Sequence, residues 1–552
     1  FGRNVPDEAM PDEDKMNLGK IYHMGKSESA DLILNRQAMA SHTFITGSTG
    51  TGKSNAVYHL LDEITKNGQT TFLVVEPAKG EYKNVFGNRA DVQVFGTNPR
   101  ETPLLRMNPF AFPENIHILE HIDRLVEIFN ACWPMYAAMP AVLKDAIERS
   151  YQKVGWDLRN SESEKGVFPT FFDLLDILPG VIEESHYSKD TQSDYVGALC
   201  TRVKSLTNGI YGSVLCAEDA LTDEALFDRN VIVDLSRVGS METKSLLMGI
   251  LVMKLQEYRM CSSGMNSRLR HVTVLEEAHN LLRKTSAEQS QEGANLQGKS
   301  VEMLANAIAE MRTYGEGFII ADQAPGLLDM SVIRNTNTKI ILRLPDEEDR
   351  KLVGKSAALK EAQIDELSKL PLGVAAVYQN EWPEAVLCKI EAYPMPENAV
   401  YHKPSKMPHE INAEFVFGQL AVGKELKPLS SSEMEQLKLW LKRHEMMLKP
   451  EDGRYLERVF AGGELDVAKT RKAVFDFFGG IGTVVDYCVA AEKSLTPRKE
   501  LLEQLQGQYG LKAAAADWVL NSVISMGMSL NPDAKAVESL RTNFEQQGGR
   551  VL

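Results

Sequence analysis

A chain of 552 residues, 43% hydrophobic and 25% charged, has enough apolar side chain for two to four packed domains. Its 61 Lys and Arg against 76 Asp and Glu leave a net charge of −15, which argues against a broad nucleic-acid-coating surface, although a basic channel can still be confined inside an acidic molecule. Six well-separated cysteines with no C-x-x-C pair or Cys/His cluster argue against a zinc or iron–sulfur site and for a reducing compartment, and no apolar run approaches the roughly 20 residues of a membrane span, so a cytoplasmic location is expected.

The chain opens at Phe1 and its first methionine is Met10, so either a processed N-terminus or, as we favour, a missing upstream domain is expected. Residues 1–40 are polar, with one patterned stretch, Leu18 to Leu34, that reads as short strands and turns. An apolar strand at Thr43–Thr46 then meets Gly47-Ser48-Thr49-Gly50-Thr51-Gly52-Lys53-Ser54, and the run from Asn55 to Ile64 has helical spacing. This is the order strand, glycine-rich loop, helix. The G-x-x-x-x-G-K-[ST] spacing needs its glycines so that successive N–H groups can turn inward onto phosphates, and the helix adds its positive dipole end. Gly47 to Asn55 are therefore expected to bind ATP, with Lys53 on the β/γ-phosphates and the Ser54 hydroxyl on Mg²⁺.

A second strand at Thr71–Val75 ends in Glu76-Pro77-Ala78-Lys79-Gly80-Glu81-Tyr82. From about 113 to 226 helical periods dominate, broken by a polar linker at Asn160–Gly166, and we read a helical insertion there. Strands resume at Val231–Leu235, His271–Leu275, Gly317–Ala321 and Lys339–Arg343, with a further β pair expected at Gly373–Tyr378 and Ala385–Ile390. Strands alternating with helices predict βαβ units and a largely parallel sheet. The Pro-rich stretch Tyr393–Pro408 marks a boundary, and beyond it the pattern is nearly all helical. The expected division is a lead-in at 1–40, an ATPase core at 41–400, a helical region at 401–490 and a small helical module at 491–552.

Four residues of strand carry Glu276 and Glu277 to the carboxyl edge of the sheet, where open α/β sheets bind ligands. One carboxylate can hold the hydration shell of Mg²⁺, a role we give Glu276, and the next can polarise the attacking water. Asp234, after Val231–Val233, is the alternative metal ligand, or simply marks another strand edge. Gln323 stands at a strand tip before Pro325, where a neutral amide can position water against a γ-phosphate, or be no more than a solvated loop residue. Arg312, ending the helix Val301–Tyr314, and Arg343, ending a strand, are candidates for an arginine supplied across a subunit boundary; each can equally be a surface ion pair.

These residues resemble the HerA/FtsK-type DNA-pumping ATPases, specifically the HerA central-domain group. The resemblance is carried by Leu34–Gly47 leading into the loop, Val75–Tyr82, Leu105–Phe110, Leu275–His279, Glu310–Gly315 and Ile320–Pro325, in that order along residues 34–325. It implies a RecA-like core assembled as a homo-hexameric ring around double-stranded DNA, gripped without sequence preference through a central pore, with an effector such as a nuclease as partner. It makes Glu277 the catalytic base, Gln323 the sensor and Arg312 the trans-acting finger. Glu76 and Glu276 stand where the family often has Asp, which keeps charge and changes reach. Relatives of this larger build serve DNA-end processing, conjugation and antiviral defence. An ATP-gated scaffold that moves no DNA, and a conjugation or secretion ATPase, are the competing readings.

The polar segment from Arg283 to Lys299 can line a pore or form a surface loop. Near the C-terminus, Thr496–Leu505 reads as a helix with Pro497 at its first position, followed by an amphipathic stretch at Leu511–Met526. The pair suggests a helix-turn-helix-like unit whose second helix offers only Lys512 as a base, so protein docking is the better expectation than DNA reading.

Overall fold

The computed structural model describes every residue except 4–9, 67, 137, 164–166, 218–219, 286–295, 381, 396–398, 405–449, 461–465, 495, 510–512, 550 and 552. Two compact units divide the chain, Phe1–Lys403 and Pro404–Leu552. The first is built on an eleven-stranded sheet. Its strands, with one small hairpin, are β1 (Lys15–His23), β2 (Lys26–Asn35), β3 (Thr43–Thr46), β4 (Thr71–Glu76), β5 (Val92–Gly96), β6 (Trp156–Asp157), β7 (Glu162–Ser163), β8 (Asn230–Asp234), β9 (His271–Glu276), β10 (Glu316–Asp322), β11 (Thr338–Ile341), β12 (Val374–Gln379) and β13 (Val386–Ile390).

The strand order is β2-β1-β13-β12-β11-β3-β10-β9-β4-β8-β5. From β11 to β5 every pairing is parallel, and from β11 to β2 every pairing is antiparallel. The fold is an α/β core of the RecA-like kind. Every residue of β3, β8, β9 and β10 is buried, as expected of parallel strands covered on both faces. Neighbouring residues feed opposite cores: Phe44, Leu73, Val75, Phe318 and Ile320 join one apolar cluster, while Ile45, Phe72, Val74 and Ile319 join the other. The helix Lys53–Thr65 packs Val57, Leu60, Leu61 and Ile64 into the second cluster.

The lead-in expected to precede the core is part of it. β1 and β2 form the antiparallel edge, β1 pairing with β13 through Gly19↔Ile390 and Ile21↔Cys388. Register shifts between Asn17 and Gly19 and between Lys20 and Tyr22 bend this edge, a device that discourages further strand addition. Between β5 and β8 the chain is helical, from Ile118–Cys132 to Asp223–Phe227, with β6 and β7 as a hairpin at the polar linker. These helices share the first cluster through Phe129, Leu143, Tyr151 and Phe171, so the insertion is fused to the sheet rather than tethered to it. Thr170 starts the helix Phe171–Glu184 with a reciprocal cap to Asp173.

Among the described residues of the second unit the regular elements are helices, with a core of Leu456, Phe478, Tyr487, Leu501, Leu520, Ile524 and Phe544. The two helices expected near the C-terminus are present as Pro497–Tyr509 and Ala513–Leu530. The turn between them and Lys512 lie outside the described residues. Among the described residues no single helix is long and apolar enough to cross a membrane.

Candidate active site at the carboxyl edge of the sheet

The glycine-rich loop leaves β3 at the carboxyl edge and is braced from β11. The Ser48 backbone N–H and hydroxyl both donate to the Arg343 carbonyl, at 3.0 and 3.1 Å. The Thr51 hydroxyl donates to the Ser48 carbonyl at 2.7 Å, and the Gly373 N–H to the Thr51 carbonyl at 3.0 Å. Gly50 and Gly52 adopt φ of 76° and 104°, a region L side chains avoid. A Cβ on Gly47 would lie 2.7 Å from both Leu342 Cβ and Thr51 Oγ1, so that position is closed to any side chain. Gly52 leads directly into the helix Lys53–Thr65, whose first amides have no intrahelical partner and face the loop.

Lys53 Nζ lies 3.1 Å from Glu277 Oε1 and 3.4 Å from Glu276 Oε2, with all three side chains no more than 13% exposed. The Gln323 amide donates to the same Glu277 oxygen, and the Thr49 hydroxyl donates to Gln323 Oε1 at 2.6 Å. Loop, acidic strand end and strand tip thus close one polar circuit: Thr49, Gln323, Glu277, Lys53. Glu277 reaches it by leaving β9 in the left-handed region, φ 45° and ψ 52°, which costs an L residue about 1–2 kcal/mol. Two residues hold that turn through four hydrogen bonds. Asn280 donates to the Glu277 carbonyl from its backbone and its side chain, at 2.9 and 2.7 Å. His279 donates its backbone N–H to Asp322 Oδ2, and its Nδ1 sits on the same oxygen, both at 2.9 Å. That bond to the fully buried Asp322 raises the His279 pKa above its ordinary value.

Behind this circuit lies a buried acidic layer. Tyr82 donates its hydroxyl to Glu276 Oε1 at 2.5 Å. Glu76 accepts the backbone N–H groups of Glu81 and Tyr82, at 2.7 and 3.1 Å. Burial pushes the Glu76 carboxyl up to about 8, aided by the carboxylates of Asp234 and Glu276 and opposed by the two N–H bonds. Asp234 is engaged elsewhere, 2.5 Å from Lys83 Nζ and accepting the Ser236 N–H at 2.9 Å. In the strand order β8 stands four places from β3 and β9 only two, so the strand tips are about 19 and 10 Å from the loop's strand. This spacing favours Glu276 over Asp234 as the acidic partner of the loop.

The hydroxyl of Ser54, in the first turn of the helix, and the carboxylate of Glu276 are hard oxygen donors of the kind Mg²⁺ takes alongside phosphate oxygens and water. With Tyr82 on one oxygen, Glu276 turns the other toward Lys53, so the residues fit the ion. The Asn55 side chain, expected among the nucleotide-binding residues, is engaged away from the loop. Its amide donates to the Glu391 carbonyl at 3.0 Å and its Oδ1 accepts the Tyr393 N–H at 2.9 Å, which sews the helix to the chain leaving β13. Arg312 is exposed in the short helix Met311–Tyr314, at the amino end of β10, whereas Gln323 follows its carboxyl end. Seven strand residues put about 20 Å between them, beyond the reach of one arginine side chain. Arg343 is exposed beside its own loop, its carbonyl clamped by Ser48.

Sequence reasoning gave no role to Tyr82, Asp322 or His279, although each stands within a motif already singled out. It also missed the bond between Thr49 and Gln323, which joins residues 274 positions apart. Most of the segment from Arg283 to Lys299 lies outside the described residues.

With this geometry established, comparison with known proteins finds that residues 16–253 match the family described as helicase HerA, central domain. A probable helicase of Methanocaldococcus jannaschii is 23% identical over 428 residues, 71% of this chain and 75% of that protein. The DNA double-strand break repair helicase HerA of Sulfolobus acidocaldarius is 25% identical over 392 residues, 68% of this chain and 69% of the relative. Among solved structures, VirB4 of Thermoanaerobacter pseudethanolicus superposes with a TM-score of 0.52 at 18% identity, covering 70% of this chain and 98% of that one, a likeness of fold.

Proposed function

We propose that this chain, whose residues 16–253 match the HerA central domain, is an ATP-hydrolysing ring motor that translocates or unwinds double-stranded DNA beside an effector protein such as a nuclease. The circuit from Thr49 through Gln323 and Glu277 to Lys53 carries this reading. Its contacts bring a lysine, a carboxylate and an amide together at the mouth of one glycine-rich loop, which supports a cation on phosphate oxygens, a base for a water proton and an amide on the water.

In the described state Lys53 is clasped by Glu276 and Glu277. A triphosphate entering the loop offers Lys53 a stronger anion, and the lysine's transfer releases Glu277 Oε1 to accept a proton from water. Gln323, bonded to both Thr49 and Glu277, then senses the γ-phosphate and orients that water. Ser54 and Glu276 would hold Mg²⁺, which neutralises phosphate charge when bound. Charge arising on the leaving group is left to Arg312 of a neighbouring copy, since the chain's own Arg312 stands at the far edge of the sheet. The HerA relatives named for double-strand break repair support DNA as the track, and anti-phage defence is one setting for such a motor.

The test is ATP turnover of the assembled chain with and without linear duplex DNA. Duplex should accelerate turnover, and Lys53→Ala should abolish it, by at least two orders of magnitude on the scale of losing a preorganised charge. Turnover that needs Lys53 but ignores every DNA would overturn the motor and leave the ATP-gated scaffold.

A further inference from the structure

Three adjacent parallel strands, β4, β8 and β5, end beside one another at the carboxyl edge, and the loops leaving them enclose a cleft of about 620 Å³. The cleft is separate from the ATP site, because β4 stands three strands, about 14 Å, from β3. Its wall contains five cations, Lys79, Lys83, Arg100, Arg237 and Lys403, against one lining carboxylate, Glu101. With Asp234 and Glu81 paired to Lys83 and Lys79, the cations still outnumber the neighbouring carboxylates, on a molecule whose net charge is −15.

The cations are of two kinds. Glu101 fixes Lys83 at 3.0 Å and Arg237 at 2.6 Å, and Asp234 holds Lys83 from behind, so these two are positioned by the fold. Lys79 and Arg100 are exposed, and the Lys79 ammonium lies 3.7 Å from its carboxylate partner Glu81. Lys403 arrives from a distant part of the chain. The strap carrying it is laid across the cleft by amide side chains, with the Tyr401 N–H on Asn84 Oδ1 at 3.0 Å and the His402 N–H on Asn88 Oδ1 at 3.1 Å. Lys403 itself donates to the Pro99 carbonyl. Several cations set around an open cleft are the groups that hold phosphates, and amines and guanidinia grip a backbone without reading bases.

We propose that this cleft is a second anion site that holds consecutive phosphates of a nucleic-acid backbone. The choice of a polynucleotide over a free polyphosphate rests on the reading of the chain as a DNA motor; the phosphate chemistry does not.

The experiment compares the full-length chain with Lys79→Ala/Arg100→Ala, two exposed side chains, with the ATP site filled by a non-hydrolysable analogue. A labelled short duplex is titrated across a salt series, and tripolyphosphate is titrated by calorimetry. The variant should bind the analogue as the parent does, bind duplex on the order of tenfold more weakly, and lower the slope of log K against log salt by about 2. A parent that binds duplex and a variant with the same affinity and slope overturn the proposal. If the parent binds no duplex, the motor reading and the backbone source fall together, and tripolyphosphate decides the rest. Binding to the parent alone keeps a phosphate site of a different source; binding to neither removes the site.

Discussion

Around neutral pH the buried Glu76 carboxyl carries a proton more often than not, because burial and two neighbouring carboxylates hold its pKa near 8. The folded chain therefore binds a proton that the unfolded chain releases near the ordinary value of 4.5, and folding stability falls as pH rises from 4.5 to 8. Glu76→Gln keeps the shape and loses one acceptor for the Glu81 or Tyr82 N–H, a deficit of about 1–3 kcal/mol. That deficit should shrink between pH 5 and pH 8, since only the parent loses stability over that window. Thermal melts at the two values read it, and an equal deficit at both would mean that Glu76 is ionised throughout. Glycine spacing and strand-end positions singled out Lys53, Glu276, Glu277 and Gln323, and the structure brings these four side chains together. Glu76 stood in a named motif, but its raised pKa was not legible, since its burial and the nearness of Asp234, 158 positions away, are products of the sheet order.

Elements tell the same story at longer range. The strand–loop–helix unit and most of the strands could be read from local pattern. The pairing of β1 with β13 could not, because it joins Gly19 to Ile390 and nothing local selects that partner. A second element-level feature sits at the amino edge of the sheet, opposite the loop. Arg259, on the helix Met241–Ser262, lies 2.8 Å from Glu316 at the start of β10 and 2.7 Å from Asp228, and donates to the Phe227 carbonyl. Glu316 also receives His271 Nδ1 at 2.7 Å and the Thr273 hydroxyl at 2.8 Å. Burial alone would raise the Glu316 pKa, but His271 and Arg259 hold it down at about 2. Its contribution is therefore complete above about 4.5 and lost as pH falls toward 2. Arg259→Ala leaves a buried carboxylate without its main partner and should cost about 3–5 kcal/mol. Denaturant unfolding at pH 7 checks it; a loss below 1 kcal/mol would show that the helix and β10 are held by apolar packing alone.

For the whole molecule, the decisive question is whether one chain contains a complete site. Arg312 stands about 20 Å from the circuit of its own chain, so Arg312→Ala should bind nucleotide normally and lose turnover on the order of 10³-fold. Mixing it with Lys53→Ala should restore part of the activity, because some mixed interfaces then pair an intact loop with an intact arginine. Failure of every mixing ratio to recover turnover, with assembly intact, would assign Arg312 to the surface. The acidic total, which at first weighed against DNA, is compatible with this arrangement, since cations are gathered into one cleft and not spread over the surface.

The chain beyond β13 is hydrogen-bonded beside both proposed sites. One end is sewn to the ATP-site helix by Asn55, and the other lies on Asn84 and Asn88 and delivers Lys403. Asn55 is therefore the residue at which coupling between the proposed ATP site and the proposed phosphate cleft is tested. Thermodynamic linkage then demands reciprocity: whatever factor the ATP analogue applies to duplex affinity, duplex applies to the affinity for the analogue. Asn55→Ala should pull both factors toward one while each ligand still binds alone. On the motor reading, a chain with that bond cut would hydrolyse ATP and bind duplex with neither ligand altering the affinity for the other.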